Sequence, residues 1–347
     1  MSRHPVVSLA IRHGVSVTAL LLAGARPPSL AAQASPRGAS RAATSGAAAK
    51  GMATKGAVVR DSAPPATAPS RTRLVMLGTG NPNADPERSG PAVAIVVDDR
   101  AYLVDAGPGV VRRAAAAARD GIPALAADRL DLVFLTHLHS DHTVGLTDLI
   151  FTPWVLERPG PLRVFGPTGV REMADHLVAA FAQDIRVRID GREHANAEGY
   201  KVRATVVKAG VVYQDDKVTV KAFAVPHGDW KEAFGYRFET PDRVIVVSGD
   251  TRASRAVVDA CNGCDLLVHE VYSTARFATR PARWQAYHRN AHTSTVDLAR
   301  LAVDARARSL LLYHQLYWGA TDDDLLREVR GAGYRGPLAS ARDLGIY

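Results

Sequence analysis

From Arg73 onward, apolar residues fall into short runs separated by polar turns, and the runs alternate between strand-like and helix-like period. Leu74-Val75-Met76-Leu77 ends in Gly78-Thr79-Gly80-Asn81-Pro82, and residues 92–97 and 102–104 read as consecutive strands joined by the Asp98-Asp99-Arg100 turn. Residues 110–119, with their run of Ala, predict a strong helix. Residues 131–136 and 162–165 predict further strands; Gly166-Pro167 closes the second, and Thr168 is the expected N-cap of a helix reaching residue 182. Strand-rich runs follow at 202–207, 211–213, 218–225, 234–239 and 243–248. Residues 254–260, 295–305 and 322–330 predict helices, while Val268, Leu310-Leu311-Leu312 and Ile346 lie on or near strands. Strands come first as meanders and then alternate with helices, in both halves. This order fits an α/β fold, a four-layer αβ/βα sandwich of two mixed sheets flanked by helices.

The N-terminal stretch departs from that pattern. Arg3 and Arg12 precede a short apolar run, Val15 to Ala23, and small residues follow at Leu30-Ala31-Ala32-Gln33-Ala34. Residues 1–34 thus read as a secretory signal peptide, which predicts an exported protein, periplasmic or secreted. The run is too short for a comfortable membrane span, although an uncleaved anchor has the same pattern. Residues 35–70, rich in Ala, Ser, Gly, Pro and Thr, bury too little apolar surface to offset chain entropy and read as a disordered linker. Residues 71–347 form the expected folded domain.

The formal charge of +8 invites a nucleic-acid reading until it is partitioned. Of 43 Lys+Arg and 35 Asp+Glu, eight and one fall in residues 1–70, leaving 35 and 34, a net of +1, for residues 71–347. A near-neutral domain gives no support to a phosphate-backbone footprint. The two cysteines, Cys261 and Cys264 in C-N-G-C, exclude a four-cysteine zinc site; in an exported chain they suit a short-loop disulfide.

The chemistry concentrates in His137-Leu138-His139-Ser140-Asp141-His142, directly after the apolar run Leu132-Val133-Phe134-Leu135. A strand end projects side chains into a loop, and imidazole with carboxylate is the ligand set of zinc or a similar divalent ion. Three more strand-like runs end in such groups: Val225-Pro226-His227, Val246-Val247-Ser248-Gly249-Asp250 and Leu312-Tyr313-His314. Strands of one sheet can deliver their ends to one edge, so these groups can converge.

This ordered set, with Leu103-Val104-Asp105-Ala106-Gly107 upstream, resembles the metallo-β-lactamase superfamily over roughly residues 73–347. The resemblance implies two divalent metal ions, zinc by default, with manganese and iron also compatible with nitrogen and oxygen ligands. It implies His137, His139 and His227 on the first ion, Asp141, His142 and His314 on the second, and Asp250 bridging both. Asp105 matches the family's structural carboxylate beneath the histidine loop, and Asp141 counts with the catalytic residues. The opening Leu77-Gly78-Thr79-Gly80, with Glu270 in Val268-His269-Glu270 and His292 in Ala291-His292-Thr293-Ser294, is similar to the ribonuclease Z-like and arylsulfatase-like branch. There a Glu orients a His that protonates the leaving oxygen, which suits a carboxylate that raises the imidazole pKa. His269 and His288 read as structural.

Three departures argue against nucleic acid as substrate: no Gly/Pro-rich, Lys-rich arm between His142 and His227, the near-neutral domain, and the leader. Trp154, Trp230, Tyr272 and Tyr317-Trp318 are candidate rim aromatics, which would favour an aryl leaving group. Residues 272–290, carrying Arg276, Arg280, Arg283 and Arg289, are long for a connection and form a candidate lid over an anionic ester. The expectation is therefore an exported, binuclear phosphodiesterase or arylsulfatase that cleaves a small-molecule ester by metal-bound hydroxide, with a homodimer left open. The alternatives are a lactone or β-lactam hydrolase, a tRNA 3′-processing endoribonuclease, and a non-catalytic metal-binding protein of the same fold.

Overall fold

The computed structural model describes residues 70–347, so the expected signal peptide and nearly all of the expected linker lie outside the described residues. Among those described, no helix is long and apolar enough to cross a membrane.

The first half runs β1 (Thr72–Gly78), β2 (Ala92–Val97), β3 (Arg100–Val104), α1 (Val110–Arg119), β4 (Leu132–Phe134), α2 (Ser140–Thr143), α3 (Leu146–Val155), β5 (Leu162–Gly166), α4 (Val170–Ala180), α5 (Ala182–Asp190) and β6 (Val202–Val206). The second half runs β7 (Gly210–Gln214), β8 (Thr219–Ala224), β9 (Phe234–Glu239), β10 (Val244–Val247), α6 (Arg255–Cys261), β11 (Leu266–Tyr272), α7 (Thr274–Phe277), α8 (Ala282–Ala291), α9 (Thr295–Asp304), β12 (Leu310–Leu316), α10 (Asp322–Gly331) and β13 (Leu338–Ser340). One sheet orders β1-β2-β3-β4-β5-β6, antiparallel to β3 and parallel beyond. The other orders β7 to β13 in sequence, antiparallel to β10 and then parallel. Each half is a meander that continues into strand–helix crossovers.

Period-2 alternation decides which side chain enters which layer. On β1, Leu74 and Met76 enter the core between the sheets, where Ile95, Phe134, Tyr236, Phe238 and Val247 meet them. Val75 and Leu77 on the same strand turn the other way, toward Val110, Ala114 and Leu146 of α1 and α3. A third core packs Val257, Leu298 and Leu325 against the outer face of the second sheet. Three cores between four layers make the αβ/βα sandwich.

Local elements differ from expectation in several places. Thr168 is not an N-cap: Gly169, at φ 98°, precedes α4, and the Thr168 N–H donates to Glu232 instead. The helix breaks at Phe181, whose ring packs on Phe151 at 4.4 Å, and resumes as α5. α3 shows no clear period in sequence because it is apolar on most faces and carries Pro153 inside it. The expected loop over residues 272–290 is largely helical, as α7 and α8. Cys261 and Cys264 are disulfide-bonded at the end of α6.

Candidate metal centre

Because β8 and β10 run the same way and β10, β11 and β12 are parallel, four strands of the second sheet end at one edge. The parallel pair β3 and β4 of the first sheet brings Asp105 and His137 out together. The strand ends carry Asp105, His137, His227, Asp250 and His314, while α2 and its N-cap carry His139, Asp141 and His142.

The geometry gathers these groups closely. His137, His139, His227 and Asp250 each place a donor atom within 4.8 Å of the others, and so do Asp141, His142 and His314. A third grouping joins Asp250, His292 and His314. Asp250 Oδ2 lies 3.4 Å from His142 Nε2, 3.3 Å from His314 Nε2 and 4.0 Å from His137 Nε2, so it stands between the two clusters.

Asp105 is the buried hub below. It accepts from the backbone N–H and hydroxyl of Thr136 and from His142 Nδ1 at 2.8 Å. The Thr136 hydroxyl proton is thereby used, so His137 Nδ1, 3.0 Å away, is the donor to Thr136 and His137 Nε2 keeps a lone pair. His227 Nδ1 donates to the Ala291 carbonyl at 2.8 Å, which frees His227 Nε2 in the same way. Both lone pairs face His139 Nδ1, at 2.9 and 3.1 Å. Three converging nitrogens share at most one proton, the arrangement that a cation completes. Burial lowers the pKa of His137 well below the ordinary value and brings His139 and His227 to about 4, so all three are neutral ligands at neutral pH.

The second cluster carries the opposite signal. Burial alone would lower His142, but Asp250, Asp105 and Asp141 outweigh it and raise it well above ordinary. With His142 Nδ1 donating to Asp105, Nε2 points at Asp141 and Asp250 with no hydrogen-bond partner. Asp250 Oδ1 and His314 Nδ1 are likewise buried without a partner among the described residues. Carboxylates crowding an unpaired imidazole nitrogen fit a divalent ion placed among them.

Backbone devices aim two of these side chains. The register of β11 on β12 slips between Glu270 and Val271, leaving His314 as an extra residue at φ 46°, so its ring leaves the strand alternation. Gly249, at φ 61°, turns the chain into Asp250; a Cβ there would meet the Phe234 carbonyl oxygen at 2.7 Å.

Glu270 is fully buried on β11 and accepts from the backbone N–H groups of Thr251 and Thr293. His292, the C-cap residue of α8, places Nδ1 3.3 Å from Glu270 Oε1, off the hydrogen-bond line, and 3.9 Å from Asp250 Oδ2. Contrary to the expectation that the carboxylate raises this imidazole, burial lowers His292 to about 4, while burial and Asp250 raise Glu270. The desolvation of both groups outweighs their attraction.

The expected rim aromatics divide. Trp154 belongs to the core, its indole N–H bonded to the Asn196 carbonyl, because α3 turns it inward. Tyr272 is buried and stacks on Phe277, and the Tyr317 hydroxyl donates to Asp322. Trp318 lies 4.6 Å from the His288 ring. Trp230 is half-exposed and donates to His139 Nε2 at 2.8 Å. It lines a cavity of about 200 Å³ with His139, His227, Asp229 and Tyr287. A larger cavity of about 730 Å³ sits at the opposite edge, where Arg100, Arg163, Asp131 and Asp215 close it with ion pairs. Tyr287 and Thr136 carry no signal in the linear pattern beyond their neighbours: one sits on the segment expected to be loop, the other hides inside the T-H-x-H stretch.

Residues 100–315 match the family model of the beta-lactamase superfamily domain. The ribonuclease Z of Mycobacterium marinum is 30% identical over 275 residues, covering 78% of this chain and 96% of that protein. The ribonuclease Z of Mycobacterium sp. strain KMS is 34% identical over 245 residues, or 70% and 84%. Among solved structures, the metallo-beta-lactamase fold protein YhfI of Bacillus subtilis aligns with a TM-score of 0.61 at 17% identity, over 80% of this chain and all of that one. The short form of human tRNase Z aligns at 0.58 and 23%, over 79% and 98%. These two support the fold. The ribonuclease Z relatives overturn the expected exported hydrolase of small phosphate or sulfate esters, and with it the argument against nucleic acid. Net charge over a whole domain averages away local clusters: residues 273–292 hold four Arg and no Asp or Glu.

Proposed function

The chain belongs to the metallo-β-lactamase superfamily, in its ribonuclease Z-like branch, and on that premise we propose that this metal-dependent hydrolase is a tRNA 3′-processing endoribonuclease. One observation carries the reading beyond kinship. Two donor clusters meet at Asp250, and His292 stands 3.9 Å from that carboxylate, beside them and not within either.

His137, His139 and His227 would hold one divalent ion and Asp141, His142 and His314 the other, with Asp250 shared. Such ions, when bound, supply Lewis acidity toward the phosphoryl oxygens and activate water. The protein's own groups do the rest. Asp105 and the Ala291 carbonyl bind the outer nitrogens of His142 and His227, so that Nε2 of each is the atom turned toward an ion. Asp141 adds negative charge that favours cations at this edge. Glu270 pins the Thr251 and Thr293 backbone around His292. As the phosphorus–oxygen bond to the ribose breaks, water gives its hydroxyl oxygen to phosphorus, and His292, neutral at rest, takes up the proton that this water releases and passes it to the departing oxygen.

The test is cleavage of a precursor tRNA bearing a 3′ trailer by the metal-loaded full chain. Asp250→Ala is expected to abolish the cut, and His292→Ala to slow it by about a hundredfold or more, the usual scale for a general acid. A wild-type protein that hydrolyses aryl sulfate or a lactone and leaves the precursor intact would overturn the reading.

A further inference from the structure

The segment between Glu270 and His292 folds as α7 and α8 and reaches the metal centre, because Tyr287 lines the cavity that His139 and His227 form. Over residues 273–292 it carries Arg276, Arg280, Arg283 and Arg289 and no acidic residue. None of the four arginines makes an ion pair among the described residues. Instead, Arg280, Arg283 and Arg289 lie 5.2, 5.6 and 5.3 Å from the rings of Trp318, Trp284 and Phe277. The Nε of Arg280 is buried without a hydrogen-bond partner. Trp284 and Tyr287, one helical turn apart on α8, are 39% and 37% exposed, with ring centroids 5.9 Å apart.

Unpaired guanidinium groups interleaved with exposed aromatic faces match a flexible polyanion with planar bases, because single-stranded RNA offers phosphates to the former and stacking surfaces to the latter. A uniform polyanion would need only the charge. We infer that α7 and α8 form the surface that receives the single-stranded RNA running into the cleavage site, with phosphates on the four arginines and bases on Trp284 and Tyr287. This surface takes the place of the absent Lys-rich arm, and the inference rests on the endoribonuclease reading.

Two variants of the metal-loaded full chain test it: Arg276→Glu with Arg283→Glu, and Trp284→Ala. The probe is a labelled single-stranded RNA of about a dozen nucleotides, read by anisotropy across a salt series. The charge variant is expected to weaken RNA binding by at least about tenfold and to flatten the log–log salt slope by about 1.4, since each phosphate contact contributes about 0.7 on a single strand. Trp284→Ala is expected to weaken binding and leave the slope unchanged. Turnover of a small aryl phosphodiester should be retained in both, which separates a binding surface from a folding defect. Wild-type affinity for RNA in both variants, with the precursor still cut, would overturn the surface and leave the endoribonuclease reading standing. Variant-sensitive RNA binding by a protein that cuts no precursor would support the surface and sink that reading. Poly-glutamate bound as tightly as RNA, with no loss in Trp284→Ala, would overturn RNA as the occupant.

Discussion

Three polar residues, one at the centre and two away from it, hold the scaffold through hydrogen bonds. Asp105 spends its carboxylate on Thr136 and His142, so it orients ligands without facing the cavity. Asp105→Ala is expected to lower zinc affinity by about 10- to 100-fold, read by competition with a chromophoric chelator; an unchanged affinity would remove it from the site. Arg158 is fully buried with no carboxylate partner; burial lowers it to about 10, and its guanidinium donates to the carbonyls of Leu130, Leu149, Ile150 and Gly199. Arg158→Met strands these acceptors, and a loss of at least about 3 kcal/mol in urea unfolding is expected. Asp242 accepts from Ser70, Arg71 and Thr72 and ties β1 to the β9–β10 turn. Burial pushes its carboxyl up, but these bonds outweigh that and hold it at about 2, below the ordinary 3.8. Its contribution is therefore complete above the ordinary value and fades as pH falls through about 2. The unfolding midpoints of wild type and Asp242→Asn should differ at neutral pH and converge in acid.

At the scale of elements, strands were more legible than helices. β1 and β2 read as continuous apolar runs because each divides its residues between two cores, whereas β8 and β9 alternate because one face enters the core between the sheets and the other carries mostly polar residues. The apolar α3 and the Arg-rich α8 show no such periodic signal, since one is buried on most faces and the other faces solvent. Where strands end, local geometry takes over. The slip that re-aims His314 and the turn at Gly249 have no hydrophobic signature. Gly249→Ala would force a Cβ against the Phe234 carbonyl and Thr136 at a positive φ. We expect a destabilisation of about 1–3 kcal/mol in thermal melts, with weaker metal retention as Asp250 shifts. Unaltered melting and metal content would show that the turn tolerates a side chain.

For the whole molecule, the two sheets act as one device: two chain halves of the same plan bring their strand ends to one edge, where His142 Nε2, Asp250 Oδ1, Glu270 Oε2, His292 Nδ1 and His314 Nδ1 are buried together with unmet hydrogen-bond demands. Divalent cations bound among these groups would favour the folded state. Removing them with a chelator is expected to lower the melting temperature, each ion contributing about 2.7 kcal/mol at a hundred times its dissociation constant. Asp250→Ala should melt low with or without chelator; a wild-type melt indifferent to chelation would refute this account. The order of strands, the strand-end His and Asp residues and the branch signature in Glu270 and His292 were readable in the chain, because hydrophobic period and residue type are local properties. The four arginines of residues 272–290 were readable too, but the net charge of the whole domain outweighed them in the argument against nucleic acid. Packing decides that Arg280, Arg283 and Arg289 lie over the rings of Trp318, Trp284 and Phe277, and burial decides that His292 is driven down, not up, beside Glu270. Both depend on distances and desolvation between segments remote in sequence, which only the packed chain defines.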